Sequence, residues 1–459
     1  MQGLAATWCN SPALVLRSMG LNQVRCSVGM RIKQTGAVIV LLALSAGAYA
    51  GAPQPFSEDL FLDWGDLRSM LRDMGVDVRI GYVSETATNV QGGPEELWRY
   101  TDQWTFLTQF DLQKLMGIDA ATFRVTITDR NGRDLGQDAN LNTLQLVQEV
   151  YGRDQTWRWT QVWYDQQYLN GKLDWKVGRL TEGEDFAAFS CEFQNLTFCG
   201  AQPGNLVGSY WYNWPVSQWG TRLKTLITGF GYVQIGAFEV NPDYLLNKYG
   251  MDLWRPGSAT GVLAPLEFAW LPTFYNRPGS YKVGGWYNSS TAPDVVSNTA
   301  EEPLEIAGGT PRMHHGQYGA YLSFEQRLTA PMDGDAKRGL SVFLNATYAD
   351  RRTSTLDSQI ALGMLYRGPF AARPRDEIGL AVGETHVNSR IAALERLQNG
   401  LGDTSVPVQS EEWASELFYN VNVGGWLDLR PNLQYIAQPG GVASRTNDVI
   451  AGLKLAINF

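Results

Sequence analysis

Histidine and cysteine are scarce in this chain, with three of the first and four of the second in 459 residues. His314, His315 and His386 show no spacing that suggests a zinc site. Cys9 and Cys26 precede Met30, which leaves Cys191 and Cys199 around the segment EFQNLTF. A basic surplus is also missing. Thirty-seven Lys and Arg face 46 Asp and Glu, a net charge of −9, so the footprint that phosphate contacts require is absent and nucleic acid is excluded as a partner. Only one long apolar run occurs, near the amino terminus, which excludes helical membrane spans elsewhere. No nucleophile stands in an evident triad, and only His386 lies near a plausible strand end, so an enzymatic reading has little to build on. The chain shows no fixed-period repeat or dividing linker, and nothing in it calls for a cofactor.

Aromatic residues and glycine are plentiful: 16 Trp, 20 Tyr, 18 Phe and 48 Gly. The last fourteen residues, TNDVIAGLKLAINF, place Val449, Ala451, Leu453, Leu455, Ile457 and Phe459 on one face of a strand. Ile450, Gly452, Lys454, Ala456 and Asn458 lie between them. A period of two with a greasy side is the pattern of a strand that meets lipid on one face and water on the other. The amino-terminal run supports export. From Met30 the chain reads MRIKQTGAVIVLLALSAGAYA, with Arg31 and Lys33, an apolar stretch from Gly36 to Leu44, and Ala48-Tyr49-Ala50 as a small-x-small cleavage site. Residues 1–29 are read as a spurious extension and 30–50 as a signal peptide cleaved after Ala50. Residues 1–50 hold four basic and no acidic side chains, so the mature chain has 33 basic and 46 acidic groups, net −13. In an oxidising compartment Cys191 and Cys199 are read as a disulfide that fixes a long loop.

Residues 51–75 break the strand pattern. Leu60, Trp64, Leu67, Leu71 and Met74 recur at helical steps, with Ser57 as the cap and Gly75 as the stop. Alternation follows from residue 76 to 459. Trp104, Phe106, Thr108 and Phe110 oppose Thr105, Gln109 and Asp111, and similar runs recur between turn clusters such as Asn131-Gly132 and Asn170-Gly171. Roughly fourteen to eighteen such runs predict an all-β transmembrane antiparallel barrel, with a short amino-terminal helix as a periplasmic cap or plug. Thr181 to Pro215 and Asn288 to Gln317 are predicted as its longest loops.

Several separated segments resemble one family. DWGDLRSMLRDMGV (Asp63 to Val76), TWRWTQVWYDQQYLNGKLDWKVGRL (Thr156 to Leu180), YKVGGWYN (Tyr281 to Asn288), RPRDEIGLAVG (Arg373 to Gly383) and PNLQYIAQPGG (Pro431 to Gly441) are similar to the OprB type of carbohydrate-selective porin. The resemblance implies a monomeric barrel of about sixteen strands in the Gram-negative outer membrane. Its surroundings would be outer-membrane lipid and lipopolysaccharide, and its cargo glucose and related sugars, passed by diffusion. Family barrels that end on an aromatic are read by the assembly machinery, which assigns that role to Phe459.

A pyranose offers an apolar ring face and a rim of hydroxyls, so a selective lumen needs aromatics beside carboxylates, amides and guanidinium groups. With Thr160, Val162 and Tyr164 toward lipid, the lumen receives Trp159, Gln161, Trp163 and Asp165. The same alternation turns Lys176, Arg222, Lys224, Glu267, Lys282, Trp286 and Glu416 inward, and Arg79 joins them. Gln161 stands where family members often carry an acid. Mixed signs oppose a phosphate or anion pore, though a general pore or one for organic acids remains the alternative.

Overall fold

The computed structural model describes Trp64, residues 66–329, Asp335, residues 338–402 and residues 405–459. The expected extension, the signal peptide and the first turns of the helix beginning at Ser57 lie outside the described residues. What is described of that helix is α1, Leu67–Asp73. It packs beside the start of the first strand, where Lys114 Nζ donates to Arg72 O at 3.0 Å.

Sixteen long strands follow: β1 Val76–Gln91, β2 Trp98–Asp111, β3 Ala121–Gly132, β4 Trp157–Tyr168, β5 Leu173–Leu180, β6 Gln218–Ile227, β7 Gly231–Val240 and β8 Gly261–Trp270 in the first half. The second half holds β9 Arg277–Asn298, β10 Pro311–Arg327, β11 Gly339–Ala349, β12 Leu356–Arg367, β13 Glu377–Val387, β14 Glu411–Val423, β15 Leu427–Ala437 and β16 Asp448–Asn458. A two-residue strand, Thr273–Phe274, extends the β8–β9 hairpin. Each long strand pairs antiparallel with the next, and β16 closes on β1 from Gly81↔Asn458 to Gln91↔Val449. Closure leaves no free edge, which satisfies backbone groups that lipid cannot.

The connections are short at one mouth and long at the other. The Asn170-Gly171 turn joins β4 to β5 with left-handed φ of 54° and 79°, and residues 424–426 join β14 to β15. At the opposite mouth lie residues 133–156, 181–217, 241–260 and 388–410. One expected loop is corrected here. Most of Asn288 to Gln317 is strand, because β9 runs 22 residues to Asn298 and β10 begins at Pro311, leaving only 299–310 as connection. Paired main chains hold this Ser- and Thr-rich stretch above the membrane, where polar composition does not argue against a strand.

Phase along β16 follows the alternation. Asp448, Ile450, Lys454 and Asn458 are buried toward the interior, whereas Leu453 is 41% exposed on the outer face. The outer face also carries an aromatic girdle, in which Phe459 stacks on Trp104 with centroids 5.6 Å apart and Tyr82 meets Trp104 at 4.7 Å. A Leu453→Arg substitution therefore puts a cation into hydrocarbon near mid-strand. It should destabilise the folded barrel by about 2–4 kcal/mol in equilibrium folding into lipid vesicles.

Candidate functional site: a loop folded into the barrel

Surface loops expose their side chains, but the β5–β6 loop does not. Phe186, Phe193, Phe198, Trp211 and Tyr212 are almost completely buried, because residues 181–217 fold into the barrel and pack on its inner wall. Phe193 meets Phe418 of β14 at 5.0 Å and Phe343 of β11 at 6.0 Å, and Phe189 meets Phe343 at 4.7 Å. The wall makes room by setting large rings against glycines of neighbouring strands. A Cβ on Gly379 would fall 2.2 Å from the Phe418 ring, and one on Gly319 would fall 2.1 Å from Trp286.

Polar anchors complete the docking. The Glu416 carboxylate accepts from Gln194 N at 2.9 Å and Asn195 N at 2.8 Å. Glu267 accepts from Ala187 N, Tyr321 Oη, Gln234 Nε2 and Tyr232 Oη, each at 2.8 Å. Lys282 Nζ donates to Ala188 O at 2.6 Å, and Lys454 Nζ donates to Phe193 O at 3.0 Å. Cys191 and Cys199 are joined as a disulfide, which ties off the segment that meets Glu416. Closing so short a loop stabilises by about 2–3 kcal/mol in the chain-entropy treatment.

Two mixed-sign networks flank the loop. In the first, Arg222 lies 2.9 Å from Asp174, 3.4 Å from Asp165 and 3.4 Å from Asp185 of the loop, and Lys176 reaches Asp185 at 2.8 Å. In the second, Glu192 of the loop lies 2.9 Å from Arg430 and 3.5 Å from Arg367, which also pairs with Glu377. Burial alone would push the Asp185 and Glu192 carboxyls up. Lys176, Arg222 and Lys224 around the first, and Arg430, Arg367 and Lys454 around the second, outweigh it and hold both below the usual carboxylate range. Both loop carboxylates are therefore ionised at neutral pH. The Arg367 side chain keeps 45% of its surface open, whereas Arg222 keeps 2%.

The residues expected at the lumen divide into five groups, the last of them Trp159 alone. Asp165, Lys176, Arg222 and Lys224 come together in the first network, with Lys224 over the Tyr232 ring at 4.8 Å. Glu267, Lys282, Trp286 and Glu416 point inward but are spent on the loop; Trp286 donates to Tyr210 Oη at 3.2 Å and packs against Trp211. Gln161 also serves the loop, accepting from Thr126 Oγ1 at 2.7 Å and donating to Glu184. Trp163 is clamped between Arg124 at 4.7 Å and Lys176 at 5.0 Å, so its faces are already occupied by cations. Arg79 sits at the short-turn mouth, half exposed and 2.7 Å from Asp77, away from both networks.

Trp159 and Thr160 are corrections. Opposite Thr126 and Ile127 the register passes from Gln161 to Trp159, so Thr160 is an extra residue in a β-bulge. Below the bulge the strict alternation holds; above it the phase inverts. Trp159 turns outward and donates to Met251 O at 3.1 Å, while Thr160 is buried and bonds Thr128 Oγ1 at 2.7 Å. Sequence reasoning missed Arg367, Glu377 and Arg430, all on inward phases that alternation could have found. Asp185 and Glu192 were also missed, and a loop offers no periodicity to reveal them.

Comparison with known proteins supplies the last step. The family described as "Carbohydrate-selective porin, OprB family" matches residues 95–459. Porin B of Pseudomonas aeruginosa is 42% identical over 445 residues, covering 93% of this chain and 98% of that protein. A solved high-pH structure of Pseudomonas putida OprB superposes with a TM-score of 0.84 at 42% identity, covering 88% of this chain and 99% of that one. A closed sixteen-stranded barrel, a loop docked inside it, and these matches place the chain in the carbohydrate-selective OprB porin family, as an outer-membrane porin for carbohydrates and not an enzyme.

Proposed function

We propose that the pore passes monosaccharides in glucose-like form, one barrel acting alone, and that the sugar is selected by the charged groups the docked loop leaves open. The observation that carries this reading is the pairing of the loop carboxylate Glu192 with the wall guanidinium groups of Arg430 and Arg367, the second of which stays open. Such a lining offers donors and acceptors to a ring of hydroxyls at several points and has no single sign to hold an anion. Asp165 and Lys224 contribute from the first network. Glu416, Glu267, Lys282 and Gln161 act at one remove, by holding the loop that sets the opening.

Planar-bilayer conductance with titrations of glucose, a disaccharide and phosphate tests the reading. Saturable block by glucose with little effect of phosphate is expected. Conductance indifferent to all three would reduce the protein to a general pore. Arg367→Ala should weaken glucose block, because Arg367 is the openly exposed cation of the second network; unchanged block would remove it from the path.

Glu416→Ala should act differently. Each bond to a charged acceptor contributes about 1.5–3 kcal/mol, so losing the Glu416 acceptor frees the Gln194–Asn195 turn. Open-channel conductance should rise and become noisy while the barrel still runs as a folded, heat-modifiable band. Replacing Cys191 and Cys199 with Ser should give a milder form of the same noise, and dithiothreitol should reproduce it in the unmodified protein but not in the double variant.

A further inference from the structure

The short-turn mouth of an outer-membrane barrel faces the periplasm. Around it the outer wall carries a second aromatic row, in which Phe110 lies 6.1 Å from Phe123 and Tyr164 lies 6.2 Å from Trp175. Val76, the first residue of β1, pairs with Phe110, and Phe123 pairs with Tyr164, so all of them stand on one level of the outer face. Rings in such a row mark the headgroup level of the periplasmic leaflet. Helix α1 ends at Asp73, three residues before Val76, and therefore starts from that level.

The helix is amphipathic in a direction that the barrel fixes. Leu67, Met70 and Met74 recur at steps of three and four on one stripe, and they remain 45%, 52% and 50% exposed. Arg68 and Arg72 occupy the opposite face. Arg72 Nε lies 3.9 Å from Asp77, which shares the inward phase of Glu85 along β1. The arginine face thus turns to the pore side and the apolar stripe to the outside. The joint is rigid: Gly75 takes a φ of 101°, and a Cβ there would fall 2.9 Å from Lys114 Cβ. Lys114 belongs to a second helical turn, α2, Leu112–Met116, whose Leu115 and Met116 are also exposed beside the stripe.

We propose that α1 lies on the periplasmic leaflet beside the pore, with Leu67, Met70 and Met74 against phospholipid acyl chains. Continuity with the lipid-facing row at Val76, Phe110 and Phe123 selects lipid as the partner. A free helix of seven residues is too short to form and bind a membrane alone. This one is tethered to β1 at the rim, so the membrane is always within reach and a small apolar stripe is enough. Leu115 and Met116 widen the footprint. The helix is then a collar that sets the height of the barrel in the bilayer, and it leaves the opening clear.

A nitroxide on a single cysteine reads this in barrels refolded into phosphatidylethanolamine–phosphatidylglycerol vesicles, with Cys9 and Cys26 replaced by Ser. Collision with oxygen, which concentrates in lipid, is compared with collision with a water-soluble nickel chelate. A label on Met70→Cys should favour oxygen, as one on Leu453→Cys at the outer face does, and a label on Arg72→Cys should favour nickel. Equal nickel access at 70 and 72 would put the stripe in water. Shielding of the label at 70 from both reagents would mean that protein covers it, and either result overturns the proposal. Adding Leu67→Glu and Met74→Glu should reverse the order of the two reagents at 70 while the barrel still runs as a folded, heat-modifiable band. An unchanged order in that variant would also overturn it.

Discussion

One ammonium group ties the barrel seam to its contents. Lys454 sits on the closing strand, and its Nζ lies 3.2 Å from Glu85 on β1, 2.9 Å from Glu149 in the β3–β4 loop and 3.0 Å from Phe193 O in the β5–β6 loop. A buried cation is expensive unless carboxylates and carbonyls surround it, and here the surroundings come from three separate parts of the chain. All of these partners would lose the ammonium if β16 slipped by one residue, because Lys454 would then face lipid. The ion therefore makes register at the seam, position of the outer loop and position of the constricting segment parts of one condition.

That arrangement explains why so many inward side chains are unavailable to cargo. A sixteen-stranded barrel encloses a wide lumen, and a loop packed on the wall narrows it only if its own backbone groups are satisfied there. Glu416 and Glu267 accept main-chain N–H groups, and Lys282 and Lys454 donate to main-chain carbonyls. Each charged wall residue thus replaces a hydrogen bond that water would otherwise make to the loop. Rings such as Phe343 and Phe418 supply apolar contact beneath it.

Strand alternation made the barrel legible because a lipid-facing surface tolerates no lapse in phase. It also placed Glu267, Lys282, Trp286 and Glu416 on the inner side. Three things lay beyond it. The bulge at Thr160 shifts register by one residue with no compositional mark, which turned Trp159 outward. The polar stretch from Asn288 to Gln317 reads as a loop, although its main chain continues the ladder of β9 and β10. The partners of inward residues depend on how 181–217 folds, and contacts between a loop and strands more than two hundred residues away, as for Glu416 and Gln194, leave no local trace.

The charge of the whole chain and the charge of the pore follow different rules. A net charge of −9 would favour cations over any neutral guest if it were expressed along the path. Instead the carboxylates of the two networks are matched at close range, Asp165, Asp174 and Asp185 by Arg222, Lys176 and Lys224, and Glu192 and Glu377 by Arg367 and Arg430. Pairs of opposite sign leave little monopole field but strong local dipoles, so an ion gains little by entering while a polyol exchanges water for fixed donors and acceptors. In the proposed reading discrimination depends on hydrogen-bond geometry more than on charge, and the docked loop holds Asp185 and Glu192 beside their wall partners.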